Sequence, residues 1–298
     1  MNGQIVRTTS EDGLELQGIL YDDVPNKDTI VIHIHGSNGN FYENYFLDYM
    51  AKQYNSCSIV FLPVSTRGRD YYSDFIIKKS DGSHETIKIG GIREKFSDCT
   101  KDIMGWYKYI KSLKYRKIIL QGHSLGAMKV VYFASDIHEC KLDGIILLSP
   151  PDLFGLMNAL KSGRMSNDLK YANKYRELHP SKLMPEDAYF DPITVEAYYD
   201  LISNKDLTGM FAFYDKTNLE NPRIKNVTTN VLGTFGTIDE AVVDEINECE
   251  RLLKLSLVNS KMVETKIFKG ANHYYKGQED KMAKYLSTWV SKEILGEK

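Results

Sequence analysis

No stretch of eighteen apolar residues occurs in this 298-residue chain, so no transmembrane helix is expected. The N-terminus, Met1 to Glu11, is polar and lacks the apolar segment of a signal peptide. Cysteine is scarce. Cys57, Cys99, Cys140 and Cys249 stand far apart without a C-x-x-C pair, and they read as reduced, mostly buried thiols of a cytoplasmic protein. Zinc ligation is not expected, because His33 and His35, at the end of a strand, are read as facing apart. Neither sign of charge dominates. Lys and Arg number 38 against 40 Asp and Glu, for a net charge of -2, and the basic residues are scattered. Neither nucleic acid nor an anionic membrane is therefore expected as a partner. Internal repeats and low-complexity tracts are missing as well.

What is present is a balance of 42% hydrophobic and 26% charged residues, enough for a sizeable core. Asp12-Gly13 punctuates a hairpin between Ile5-Val6 and Leu14 to Leu20. Apolar runs at Thr29 to Ile34, Ser58 to Leu62 (ending at Pro63), Lys117 to Gln121, Gly144 to Ser149, Val227 to Leu232 and Val263 to Phe268 read as strands. Between them lie helical stripes. One spans Phe41 to Tyr54. Another carries Phe96, Cys99, Ile103, Trp106, Ile110 and Leu113 at steps of three and four. Further stripes run from Gly126 to about Ser135, through Val242, Ile246, Cys249 and Leu253, and through Met282, Leu286, Trp289 and Val290.

Strands alternating with helices imply an α/β fold, a mostly parallel central sheet with helices on both faces. Two segments break the rhythm. Phe75 to Ile89 looks like an extra hairpin around Asp81-Gly82. Residues 151–222 are helix-rich and carry Tyr198, Tyr199, Phe211, Phe213 and Tyr214. They read as a helical lid inserted into one core made of residues 1–150 and 223–298.

Gly122-His123-Ser124-Leu125-Gly126 fits G-x-S-x-G, the nucleophile elbow. It follows an apolar strand and opens a helix, as the chemistry requires. A sharp turn there lifts the serine hydroxyl above the sheet, and side chains two residues either side would collide, hence the glycines. A serine at its free pKa needs an adjacent base. His273, in the loop after the last expected strand, is that candidate, set against an ordinary exposed loop histidine. His138 and His179 are weaker choices, one beyond the elbow helix and one in the lid. Asp239, in Gly236-Thr237-Ile238-Asp239-Glu240, would fix the histidine tautomer. Glu240 could take that role instead, and Asp239 could merely cap a helix. The order Ser124, Asp239, His273 is the one this motif calls for. His35-Gly36-Ser37-Asn38-Gly39-Asn40 follows the first core strand. Its Ser37 N–H and the Leu125 N–H form the expected oxyanion hole. His35 is read as ordering the loop.

Elbow, His-Gly loop, acid and histidine together resemble the α/β-hydrolase superfamily over nearly the whole chain. Ser65-Thr66-Arg67-Gly68-Arg69 looks like the Arg-Gly loop of many members, without its leading aspartate, and is read as structural. HIHGSNGNFYEN and QGHSLGA are similar to an esterase-like group that includes siderophore-ester hydrolases. The resemblance implies a serine hydrolase that cleaves a small-molecule carboxylic ester through an acyl-enzyme, with no metal or organic cofactor. An amidase, thioesterase, acyltransferase or perhydrolase would use the same triad, and a slow-turnover ligand receptor of the same fold would keep it. A halide-releasing enzyme would need an aspartate in place of Ser124.

Overall fold

The computed structural model describes residues 2–136, 140–161, 163–216 and 220–297. In chain order the strands are β1 (Gln4–Thr9), β2 (Glu15–Leu20), β3 (Thr29–Ile34), β4 (Val60–Val64), β5 (Asp74–Lys78), β6 (His84–Lys88), β7 (Lys117–His123), β8 (Gly144–Leu148), β9 (Asn230–Gly236) and β10 (Met262–Phe268). The helices flanking the sheet are α1 (Phe46–Ser56), α2 (Cys99–Ser112) and α3 (Leu125–Asp136). The stretch between β8 and β9 carries α4 (Leu153–Leu160), α5 (Met165–Tyr175), α6 (Val195–Ser203) and the short α7 (Lys205–Thr208) and α8 (Pro222–Lys225). Last come α9 (Ile246–Ser256) and α10 (Glu279–Trp289).

Eight strands make one sheet, ordered β1-β2-β4-β3-β7-β8-β9-β10. From β4 to β10 every pairing is parallel, and β1 and β2 join antiparallel at one edge. Alternation along each strand divides the interior into two cores. Ile30, Ile32 and Leu120 face α2, α3 and α9, where Ile103, Trp106, Val130 and Leu252 pack. Val31, Ile119, Ile146 and Leu232 face α1 and α10, where Met50, Tyr54, Met282 and Leu286 pack. Parallel strands buried on both faces explain why the runs are apolar without a break. β5 and β6 form a separate hairpin, with Gly82 at φ +83° in its turn.

Four local expectations differ from what is found. β4 does not stop at Pro63 but runs through it to Val64. The Pro63 carbonyl points to Gly18, so its missing N–H falls on the β2 side, where pairing is sparse, Gly18 with Val64 and Tyr21 with Phe61. β9 starts three residues later than Val227 and continues through Gly233 to Gly236. Leu253 of α9 occupies the space a side chain at 233 would need, 2.5 Å from where its Cβ would lie. α1 starts at Phe46 rather than Phe41, because Asn40 Oδ1 holds the Tyr42 and Glu43 N–H groups in a turn at 3.1 and 2.8 Å. His33 and His35 do diverge, but not through strand alternation, since residues two apart in a strand share a face. The strand ends at Ile34 and the chain turns. His33 then packs edge-on against Phe46, while His35 reaches Thr66.

Cys57, Cys99 and Cys249 are free thiols, Cys99 and Cys249 buried and Cys57 half-buried, and the half-buried Cys140 lies against Met104. Among the described residues no helix is long and apolar enough to cross a membrane, and no group of three His, Cys, Asp or Glu could hold a metal ion.

Candidate active site

Ser124 sits between β7 and α3 with φ +55°, a left-handed conformation strained for any side chain. The strain is held from both sides. Ser124 N–H donates to the Leu148 carbonyl at 2.9 Å, and its own carbonyl accepts from Ala127 N–H at 2.8 Å. The glycines are required by contact with backbone. A Cβ on Gly122 would strike the Gly126 carbonyl, and one on Gly126 would strike the Ile34 and His35 carbonyls. Gly126 thus permits the elbow helix to press on β3. Leu125 is the first residue of α3, where the N–H has no acceptor within the helix.

His273 and Asp239 are brought together. His273 Nδ1 donates to Asp239 Oδ1 at 2.8 Å, and both side chains are buried. Asp239 is no cap for α9, which starts only at Ile246; its Oδ1 accepts from Ala241 N–H at 3.0 Å in a local turn. Burial works to raise the Asp239 pKa, but the hydrogen bond and charge of His273, with the Ala241 N–H, outweigh it and hold the carboxyl below its ordinary value. Glu240 plays a different part, and its Oε2 accepts the backbone N–H of His273 at 3.1 Å. Ser124 Oγ and His273 Nε2 are not hydrogen-bonded in this structure. A bond between nucleophile and base is often long before substrate binds. His179 is exposed after α5, and His138 lies outside the described residues.

Several residues around this pair carry no motif of their own. His123, the second residue of the elbow, is buried, and its ring lies 4.8 Å from that of His273. Burial, with His273 beside it, pushes the His123 pKa down to about 3, so the ring is neutral and its Nε2–H donates to the His273 carbonyl at 2.9 Å. His123 and Glu240 therefore grip the two backbone polar groups of His273. Behind Asp239, the Tyr275 hydroxyl meets Ser149 N–H at 2.9 Å, Ser149 Oγ at 3.1 Å and Thr234 Oγ1 at 2.6 Å. With Ser149 turned to Tyr275, as here, Asp239 Oδ2 has no donor. A polar residue at the x of G-x-S-x-G, and a tyrosine two residues past the histidine, were the available signals.

Gly36 lies against Ser124, since a Cβ on it would stand only 3.0 Å from Ser124 Cβ, and Ser37, next in the chain, borders the same cavities as Ser124. His35 supports this loop. Its Nδ1–H donates to the Gly36 carbonyl at 2.7 Å, and its Nε2 accepts from Thr66 N–H at 3.1 Å. Burial, helped by the nearby Lys129 charge, lowers the His35 pKa to about 3, which keeps that acceptor free of a proton. Beneath it, Lys129 Nζ pairs with Glu94 Oε1 at 2.6 Å. Arg67 is buried among Asp102 at 2.8 Å, Asp12 at 2.9 Å and Asp98 at 3.2 Å, a structural cross-brace away from Ser124.

No protein-family model and no curated protein matches the chain. Solved structures do. GrgF, an alpha/beta hydrolase of Penicillium sp. sh18, is similar with a TM-score of 0.69 and 16% identity, over 99% of this chain and 100% of that one. The chain has the α/β-hydrolase fold. A lipase in its open form is similar at TM-score 0.69 and 14% identity, over 97% of this chain and 98% of its own. Est1E of Butyrivibrio proteoclasticus, solved with ferulic acid bound, is similar at TM-score 0.63 and 16% identity, over 98% and 100%.

Within this fold two cavities meet at Ser124. One of about 440 Å³ lies toward residues 36–44 and Tyr274. The other, about 130 Å³, lies against Leu125, Met128 and Leu153. Ser37, Ser124 and Asp191 border both. The aromatic residues singled out between β8 and β9 do not line them: Tyr198, Phe211 and Phe213 are buried in the packing of that segment. Tyr189, Phe190 and Asp191 do. Asp191 is tied to the loop after β3, accepting from Asn38 Nδ2 at 2.9 Å.

Proposed function

We propose that the protein is a serine hydrolase that cleaves a carboxylic ester through an acyl-enzyme. One observation carries this reading: a buried Asp239–His273 pair at 2.8 Å beside a serine held at φ +55° at the head of a helix. Ser124 Oγ attacks the ester carbonyl while His273 Nε2 takes its proton. The Ser37 and Leu125 N–H groups receive the developing oxyanion. The ester C–O bond breaks, and His273 returns the proton to the leaving alcohol. Water, deprotonated by His273, then releases the acid and restores Ser124. Asp239 holds Nδ1 protonated, so Nε2 is the nitrogen that exchanges protons.

Esterases and a lipase among the proteins sharing the fold support an ester as the substrate. Residues 151–222 act in this reading as a lid over one core, because Tyr189, Phe190 and Asp191 overhang the cavity at Ser124. Free thiols at Cys57, Cys99 and Cys249 fit a reducing, cytoplasmic setting. A fluorophosphonate probe tests the assignment. It should label the wild type, whereas Ser124→Ala should lose labelling and about 10³- to 10⁶-fold in kcat on p-nitrophenyl butyrate. Equal labelling of the alanine variant would remove Ser124 from its role.

A further inference from the structure

The two lobes that meet at Ser124 differ in chemistry as well as size. The smaller is walled by Leu125, Met128, Leu153, Leu156, Tyr189 and Phe190. Its volume of about 130 Å³ holds about four methylene-sized groups, at roughly 30 Å³ each, the share of a water molecule in the liquid. The larger lobe, about 440 Å³, carries Glu43, Asn44, Asp191 and Tyr274, and among the described residues no lysine or arginine borders it. Glu43 and Asp191 accept from the neutral amides of Asn40 and Asn38, both at 2.9 Å, so their charges are left uncompensated by these partners. The Tyr274 ring is half-exposed beside them. Its hydroxyl pKa is raised, by burial first and then by the nearby Glu240, Asp191 and Glu43. Two carboxylates beside an open aromatic face suit a cation.

The triad geometry says which half of an ester enters which lobe. A leaving alcohol must take its proton from His273 Nε2, so it must depart on the side of that ring. The polar lobe is on that side, since Tyr274 borders it and lies 5.3 Å, ring to ring, from His273. The acyl chain then occupies the apolar lobe.

Resting on the hydrolase reading above, we propose that the substrate is an ester of a short aliphatic acid with a positively charged alcohol. The acyl chain lies along Met128 and Leu153, and the cation lies against Glu43, Asp191 and Tyr274.

The test uses two substrate series on the whole protein. Among p-nitrophenyl esters from acetate to dodecanoate, kcat/KM should peak near butyrate and fall at least tenfold by octanoate. Among three butyrates, the choline ester should exceed its neutral isostere, the 3,3-dimethylbutyl ester, by about tenfold in kcat/KM. The glycolate ester, an anion, should fall about tenfold below it, the order expected for one charge meeting two partly solvated carboxylates. Asp191→Asn and Glu43→Gln should each narrow the choline-to-neutral ratio about threefold. Either variant alone suffices if the other misfolds. Turnover of p-nitrophenyl butyrate with no preference for the choline ester, with a peak at octanoate or longer, or with a ratio unmoved by both variants overturns this inference and leaves the hydrolase reading standing. Absence of all ester turnover together with absence of Ser124 labelling overturns that reading, and this inference with it.

Discussion

Replacing Asp239 by asparagine removes one negative charge and leaves nearly every atom in place. Oδ1 accepts from both His273 Nδ1 and Ala241 N–H, so an asparagine oxygen could keep both bonds. What it cannot keep is the attraction for the imidazolium that, in the proposed mechanism, forms when Ser124 gives up its proton. The two groups are 2.8 Å apart, and their residues are only 6% and 7% exposed. At an effective dielectric of about 20, unit charges at that distance attract by about 6 kcal/mol. At about 1.4 kcal/mol per factor of ten, this corresponds to a loss of about 10⁴ in kcat. If the amide turns its nitrogen to His273 instead, the wrong tautomer is selected and the loss is of the same order. Glu240 offers the contrast. It accepts only the backbone N–H of His273, at 3.1 Å, from an exposed position. Glu240→Gln keeps an oxygen there and should stay within about threefold of wild type. Glu240→Ala should lose about fivefold, one hydrogen bond of about 1 kcal/mol. Steady-state kcat on p-nitrophenyl butyrate, with thermal melts to show that each variant is folded, decides the matter. A 10³-fold loss for Glu240→Gln, with Asp239→Asn retaining more than a tenth of the activity, would refute the argument.

Two further predictions concern stability. The Lys129–Glu94 pair is nearly solvent-free, so Lys129→Met or Glu94→Gln alone should cost about 3–5 kcal/mol in urea unfolding, while Lys129→Met with Glu94→Leu should recover most of it. Strictly additive losses would show that the two are not coupled. Asp152 is buried at the head of α4, where it accepts from Gly155 N–H at 2.9 Å and Tyr214 N–H at 2.6 Å, and burial raises its pKa to about 7. The folded state then holds a proton that the unfolded chain releases near the ordinary carboxylate value. The resulting stability is complete below that value and lost as pH rises through about 7. Asp152→Asn should therefore flatten the unfolding free energy between pH 5 and 8 by on the order of 2 kcal/mol. An unchanged slope would place the titration elsewhere.

What could be read in the sequence is what a few adjacent residues decide. The elbow is a strand, a five-residue turn and a helix, all local, and its serine takes the left-handed backbone that such a turn demands. The parallel sheet announces itself because strands buried on both faces are apolar throughout. Asp239 and His273 were reachable because loops after strands sit at one edge of such a sheet, and Asp239 meets Nδ1 as the motif order requires. Strand limits were less legible. At Pro63 and Gly233 the local propensity opposes a strand, and parallel pairing with β3 in the one case and with β8 and β10 in the other overrides it.

The residues that were not legible share a physical cause. Glu240 reads as a rival for the carboxylate role until its partner is seen to be the His273 backbone, 33 positions away. Asp191 belongs to no motif, yet it bonds Asn38 across 153 positions and borders both cavities at Ser124. Contacts of that span leave no period in the sequence, and an acid on a loop looks the same whether it faces solvent or substrate. The bond-breaking chemistry depends on local backbone geometry, which a short motif can hold. The choice of substrate depends on which loops meet over the serine: those at 36–44, 189–191 and 273–274. Glu43→Gln should therefore change which ester is taken more than how fast a neutral one is cleaved, because this side chain has no place in the proposed proton path from Ser124 through His273 to the leaving oxygen.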